Sequence, residues 1–369
     1  MNQGTHFSGQ PILSQLVKLI PRSEVQRLAG VHGSDRYYKK FKTYEHLVAM
    51  LYTVFARCTS LREVVTGLLA SENRLMHLSV DYSVRRSTLA DANRRRDCGV
   101  FAAIYGYLYG RYAHLLPDSR SKKWRSKLFI VDSTTISLFQ EILKNAGRNP
   151  LNGKRKGGVK AHTIMKAEED VPRLVCLRSG ASSDRNFMKD IDVPAGSIIV
   201  FDRAYVNYAI YNRWKSEDIT FVTRLAPNSI LTAEKDRLVS QRARSEGVKS
   251  DARVTLGFAN QPNKVTARVI SYCDKVSGRH FNFVTNNFRL GPVTIARIYQ
   301  RRWQIELFFK RLKQNYPLRY FLGDNANAVK IQIWCAVIAD LLLKIVRSQC
   351  KKQWSFANLA SMVRLHLLT

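Results

Sequence analysis

The sequence predicts an all-helical N-terminal domain, then a mixed α/β core with a β-rich insertion and closing helices. Three observations carry that fold class. Apolar residues recur at helical spacing from Gln10 to about Leu116, with no strand signal among them. A polar, Pro-broken stretch from Leu116 to Ser126 ends that pattern. Short runs rich in Val, Ile and Phe follow it. With 369 residues, 45% of them apolar, the chain can bury more than one core. The expected domains are therefore 1–118 and 119–369, the second interrupted at about 221–288.

Taken in order, Ile12, Leu16, Leu19 and Ile20 share one helical face, and Leu47, Met50, Leu51, Val54 and Phe55 share another. Ser60 is placed to cap a helix over Leu61 to Leu69, with Glu63 completing a capping box. The run Ser87 to Arg96 opens a further helix that ends in Arg94, Arg95 and Arg96, with Arg85 and Arg86 before it. Such a helix is either a solvated cationic face or a contact for phosphates and grooves.

Beyond the boundary, Lys127 to Leu138 is an apolar strand run with Asp132 at its middle. A basic, glycine-containing loop, Asn149 to Gly158, leads to strands at Gly158 to Met165 and Arg173 to Arg178. A short helix follows Asp184, and the run from Ser197 to Phe201 ends in Asp202. Strand-like runs at Phe221–Leu225, Val254–Phe258, Val265–Tyr272 and Phe281–Thr285 make the insertion, with a charged stretch, Glu234 to Arg253, after the first. Pro292 marks a helix start, and Tyr299 to Lys313, YQRRWQIELFFKRLK, reads as one helix. On it, Tyr299, Arg302, Glu306 and Lys313 fall within roughly a 60° sector, beside an apolar stripe of Ile298, Ile305, Phe309 and Leu312. Helices at Ala326–Gln349 and Phe356–Leu368 close the chain.

Charge narrows the partners. Sixty Lys and Arg face 28 Asp and Glu, a net charge of +32. A chain this basic calls for a polyanion. Nucleic acid leads over an anionic membrane surface, because no long basic amphipathic run is present. Six cysteines without metal-ligand spacing read as reduced thiols of an intracellular protein. The N-terminus has no apolar signal core, and the apolar run Ile331 to Val346 is broken by Gln332, Asp340 and Lys344. That run reads as a buried helix rather than a membrane span, and the chain as cytoplasmic.

Asp132 and Asp202 each end an apolar strand core, Phe-Ile-Val-Asp and Ile-Val-Phe-Asp, where a charge is costly without compensation. Singly, each is as well read as a turn residue or a salt-bridge partner. Two such strands in one sheet would bring both to one edge, and Glu306 on a helix against that edge would make three carboxylates. Such a set suits two hard cations such as Mg²⁺, clamping the oxygens of a phosphodiester.

At these residues the sequence resembles the DDE transposases of bacterial insertion sequences, in the IS-four group. Tyr299, Arg302, Glu306 and Lys313 match that group's Y-x2-R-x3-E-x6-K signature, and VDST around Asp132 and FDRAY around Asp202 resemble its aspartate segments. The resemblance implies an RNase H-like catalytic core and two Mg²⁺ ions, with Mn²⁺ as a substitute, on Asp132, Asp202 and Glu306. It implies cutting at transposon ends and joining of the 3′-hydroxyl to target DNA by a homodimer. Tyr299, Arg302 and Lys313 would contact phosphates, joined by Arg203, Lys160 and the Arg94–Arg96 triplet as candidate DNA-binding residues. Lys160, His162, Asp184, Arg203 and Tyr205 admit either site roles or structural ones. Relatives that form a hairpin hold a flipped base on a tryptophan of the insertion; here Trp124, Trp214, Trp303, Trp334 and Trp354 all lie outside 221–288. Phe258 and Tyr272 are the candidate stacking replacements. Two rival readings stay open: a DDE-type nuclease without strand transfer, and an inactive transposon-derived DNA-binding protein.

Overall fold

The computed structural model describes residues 10–71, 84–117, 124–137, 158–180, 182–257 and 264–368. The expected basic loop, up to residue 157, and Phe258 lie outside these residues. The chain forms two compact units, one from 1–116, 135–159 and 309–369, the other from 117–134 and 160–308.

The first unit opens with α1 (Ile12–Val17), α2 (Arg22–Val31), α3 (Thr43–Ala56), α4 (Leu61–Leu69), α5 (Arg86–Arg95) and α6 (Gly99–Tyr112). Helix α3 is its axis, buried from Thr43 through Phe55. That follows from a sequence apolar on nearly every side, which only a central helix tolerates. Helix α4 occupies the expected residues. Ser60 Oγ accepts from the Glu63 N–H at 3.2 Å, and the Glu63 carboxylate accepts from the backbone of Thr59, one residue ahead of the reciprocal partner the sequence pattern names.

The second unit carries a nine-stranded mixed sheet: β1 (Leu128–Ser137), β2 (Gly158–Lys166), β3 (Val171–Ser179), β4 (Ile198–Phe201), β5 (Thr220–Arg224), β6 (Ile230–Asp236), β7 (Val248–Gly257), β8 (Val265–Cys273) and β9 (His280–Thr285). Their order is β3-β2-β1-β4-β5-β9-β8-β7-β6. Strands β1, β4 and β5 run parallel, and β5, β9, β8, β7 and β6 pair antiparallel. The strands expected as an insertion thus continue the same sheet. Short helices α7 (Asp184–Phe187) and α9 (Gln241–Ser245) and the longer α8 (Tyr208–Ser216) connect strands. The parallel strands are buried because both faces are apolar: Phe201 packs with Tyr211, Trp214 and Phe221, and the Tyr211 and Phe221 rings stack at 4.1 Å.

Pro292 stands first in α10 (Pro292–Arg301), as expected. The long helix expected over Tyr299–Lys313 is instead two, α10 and α11 (Trp303–Asn315), separated at Arg302. There the hydrogen bonds tighten to three-residue spacing, Arg302 N–H to Tyr299 O and Ile305 N–H to Arg302 O.

The chain re-enters the helical unit within α11 and adds α12 (Ala326–Gln349) and α13 (Phe356–Leu365). The polar interruptions of α12 have partners inside the unit. Gln332 donates to the carbonyls of Pro317 and Tyr320 and accepts from Leu322 N–H, while Asp340 takes both ends of the Arg311 fork. Among the described residues, no helix is long and apolar enough to cross a membrane.

Candidate active site

Strand register builds the site. In the parallel pair β1–β4, Val131 lies opposite Phe201, so the next residues, Asp132 within β1 and Asp202 just past the end of β4, stand side by side. On the far side of β4, Val222 of β5 pairs with Val200, which brings Arg224 level with Asp202. The break between α10 and α11 supplies Tyr299, Arg302 and Glu306 to the same place.

Two guanidinium groups hold the three acids. Arg302 donates through Nη1 to Asp132 Oδ2 at 3.3 Å and through Nη2 to Glu306 Oε1 at 2.5 Å. Arg224 Nη2 donates to Asp202 Oδ1 at 2.6 Å, and the Tyr299 hydroxyl reaches the same oxygen at 3.4 Å. Both guanidiniums lie against the Tyr299 ring, 5.7 and 5.8 Å from its centroid. The Ser133 backbone N–H donates to Asp132 Oδ1 at 2.8 Å.

The two aspartates differ electrostatically. Burial pushes Asp132 up to about 6, against the pull of the Ser133 N–H and Arg302, and the Glu306 and Asp202 charges add to the rise. Burial would raise Asp202 too, but the hydrogen bonds of Arg224 and the Arg203 backbone, with the charges of Arg224 and Arg302, hold it below the usual carboxylate range. The Tyr299 phenol is pushed up to about 12 by burial and stays neutral.

Among the described residues, no three of His, Cys, Asp and Glu are grouped as metal ligands as they stand. The reason is visible: the Arg302 guanidinium lies between Asp132 and Glu306. A cation therefore already sits on these two carboxylates, and three oxygen-donor acids are the set that hard divalent ions take. The residues fit such an ion wherever the guanidinium yields its place.

The other candidates divide. Lys160 donates to both Asp184 oxygens, at 3.1 and 3.2 Å, and to Ser182 O, while Ser133 Oγ donates to Asp184 Oδ1 at 2.8 Å. Lys160 and Asp184 thus brace the residue next to Asp132. His162 is buried and stacks on Phe187 at 4.8 Å, and Tyr205 is buried in the aromatic core. Arg203 is exposed immediately after Asp202. In the helical unit Arg94 and Arg95 are exposed, Arg95 paired with Asp91 at 2.8 Å. Arg96 corrects the expectation that all three arginines of the triplet are DNA-binding candidates. It is 1% exposed, donates to the carbonyls of Ser34, Phe41 and Lys42, and covers the Tyr38 ring, so no phosphate can reach it. Lys313 also belongs to this unit, its Nζ donating to Thr135 O at 3.1 Å.

Two features escaped the sequence reading. Arg224 lies inside the strand-like run Phe221–Leu225, and its place beside Asp202 follows from the Val200–Val222 register. Next to it lies a pocket of about 330 Å³ walled by Tyr272, Phe281, Phe283, Tyr299 and Trp303. Its signal, aromatic residues on β8, β9 and the α10–α11 joint, depends on strand pairing that periodicity cannot show.

A sheet presenting paired acids among arginines, in a chain of net charge +32, defines a protein that processes nucleic acid. A family model described as "Transposase DDE domain" matches residues 123–342, and one described as "Domain of unknown function (DUF4372)" matches residues 8–80. The chain belongs to the DDE transposase family, enzymes that cut and join DNA. It is 33% identical to a putative transposase of Sinorhizobium fredii over 262 residues, 70% of each chain. It is 32% identical over 234 residues to a probable insertion-sequence transposase of Geobacillus stearothermophilus, covering 63% of this chain and 60% of that one. Among solved structures, a piggyBac transposase synaptic complex with hairpin DNA matches with a TM-score of 0.47 and 11% identity, over 97% of this chain and 80% of that one.

Proposed function

We propose that this transposase is of the IS-four group, with an RNase H-like catalytic core in the sheet-bearing unit, 117–134 and 160–308, and a DNA-binding role for the helical N-terminal residues 1–118. The strand order β3-β2-β1-β4-β5 with parallel β1, β4 and β5 supports that core. The observation that carries the reading is the convergence of Asp132 and Glu306 on one cation, with Asp202 in the neighbouring register position. Asp132, Asp202 and Glu306 would hold two Mg²⁺ ions, whose chemistry there would be charge stabilisation of the attacked phosphodiester.

The chain's own groups do the rest. Tyr299, Arg302 and Arg203 bind phosphates near the transposon end, where charge and hydrogen bonding fix the strand without reading its sequence, and Lys313 on the helical unit is a phosphate contact of its own. Arg94 and Arg95 contact backbone elsewhere, and Lys160 holds Asp184 in place behind Ser133. The enzyme works in the bacterial cytoplasm as a homodimer that pairs two ends and joins them to target DNA. The aromatic pocket beside Arg224 and Arg302 favours stacking of an unpaired base at the cut end, with Tyr272 in the role of the missing tryptophan.

Glu306→Gln tests the reading: Mg²⁺-dependent cleavage of transposon-end DNA should vanish while binding persists. Cleavage at the wild-type rate would remove Glu306 from the mechanism. Offering a pre-cut end with a free 3′-hydroxyl separates strand transfer, which gives a joined product, from a nuclease, which gives none.

A further inference from the structure

The geometry points to Arg302 and Arg224 as resident cations: they hold the three acids assembled in the DNA-free protein, and Arg302 closes the Asp132–Glu306 pair to metal until a DNA phosphate draws it away. The inference rests on the proposed metal role of these acids and adds how the site is kept shut.

Three carboxylates gathered at one partly buried edge repel one another, and two guanidiniums offset most of that charge. The oxygens that converge are those already engaged, Asp132 Oδ2 and Glu306 Oε1. A Mg²⁺ ion needs oxygens at about 2.0–2.1 Å on all sides, so it and the guanidinium cannot share this pair. One must leave.

Arg302 is built to leave. Its bond to Asp132 is long, at 3.3 Å, and its Nε–H, like that of Arg224, is buried with no acceptor among the described residues. A buried donor left unsatisfied is a standing cost that a new partner relieves. A phosphate offers a second acceptor in the planar fork that guanidinium prefers. Arg302 also sits at the break between α10 and α11, where its movement disturbs no helix interior. Arg224 plays the other part. Its 2.6 Å bond to Asp202 comes from a strand in the middle of the sheet, so it keeps that acid ionised and aimed while Arg302 exchanges partners. DNA and metal then bind cooperatively, each tightening the other by the same factor.

The test is calorimetric titration of Mn²⁺ into the full chain, with and without a duplex DNA, for wild type, Arg302→Gln and Glu306→Gln. Expected are weak Mn²⁺ binding by the DNA-free wild type, tightening at least tenfold on DNA, and equally tight binding by Arg302→Gln without DNA. Arg302→Lys, which keeps the charge but cannot span two carboxylates, should fall between and serves if the glutamine variant does not fold. DNA-free Mn²⁺ affinity unchanged in both Arg302 variants, while DNA-bound wild type binds Mn²⁺, overturns the resident-cation role and leaves the acid site standing. If Mn²⁺ binding to DNA-bound wild type is absent, or is untouched by Glu306→Gln, the acid site itself fails, and this inference with it.

Discussion

Asp132 and Asp202 stand at the same level on neighbouring strands, yet one is held above its ordinary range and the other below it. The difference lies in what each carboxylate touches: Asp202 has a short bond from Arg224, whereas Asp132 shares a longer one from Arg302. Because Asp132 sits at about 6 when folded against 3.8 for the free group, its ionisation opposes folding above pH 6 and ceases to do so below 3.8. In metal-free, DNA-free protein, denaturant titrations should show Asp132→Asn gaining on wild type by on the order of 2 kcal/mol at pH 7, a gain that disappears by about pH 4. A pH-independent difference would mean that burial is not what raises the group. Asp202, held low, loses its stabilising contribution only as pH falls through its folded value, below this window. The arginine triplet makes the same point about neighbours. Arg96→Ala removes a buried guanidinium from three carbonyls and should cost about 3 kcal/mol, while Arg94→Ala and Arg95→Ala should each stay within about 0.5 kcal/mol of wild type.

Elements were legible in proportion to how much of their pattern is local. Strands β1 and β4 announce themselves as runs of large apolar residues that end in an acid, and α4 by its capping serine. The break at Arg302 was invisible because both helices keep the same apolar phase across it: Ile298 and Ile305 are both fully buried. Strand β6 was missed for the opposite reason. All seven of its residues are exposed, so it carries no alternation, and its charges belong to an edge that must not pair further. Arg224 could not be found from composition, since its meaning is a register position. Helix α12 shows how a sequence interruption becomes a structural clamp: Asp340, 1% exposed, receives Arg311 through both nitrogens. Asp340→Ala should lower stability by about 3–5 kcal/mol by removing the buried carboxylate that neutralises Arg311, and Asp340→Leu with Arg311→Met should recover most of that loss. Failure of the double variant to recover would assign the pair a role beyond mutual neutralisation.

For the molecule as a whole, the excess of positive charge was the first functional statement in the sequence, and the four-residue signature the second. The first is coarse: net charge of +32 attracts any duplex, wherever the arginines stand. The second is specific because it fixes spacing along one stretch: Tyr299 and Arg302 hydrogen-bond the two aspartates, and Glu306 shares Arg302 with Asp132. Separating general attraction from contact requires a quantity that counts phosphates. The logarithm of the DNA-binding constant falls with the logarithm of salt concentration by about 0.9 per neutralised phosphate. If Arg94 and Arg95 each cover one, Arg94→Ala with Arg95→Ala should reduce that slope by about 2, whereas loss of two units of diffuse charge would weaken binding with little change of slope. Arg96→Ala is the internal control: its side chain is sealed within the helical unit, so the slope should stay at the wild-type value in any preparation that remains folded. An unchanged slope in the double variant would return both arginines to a solvated helix face and shift the search for the duplex track to the other exposed cations of the chain.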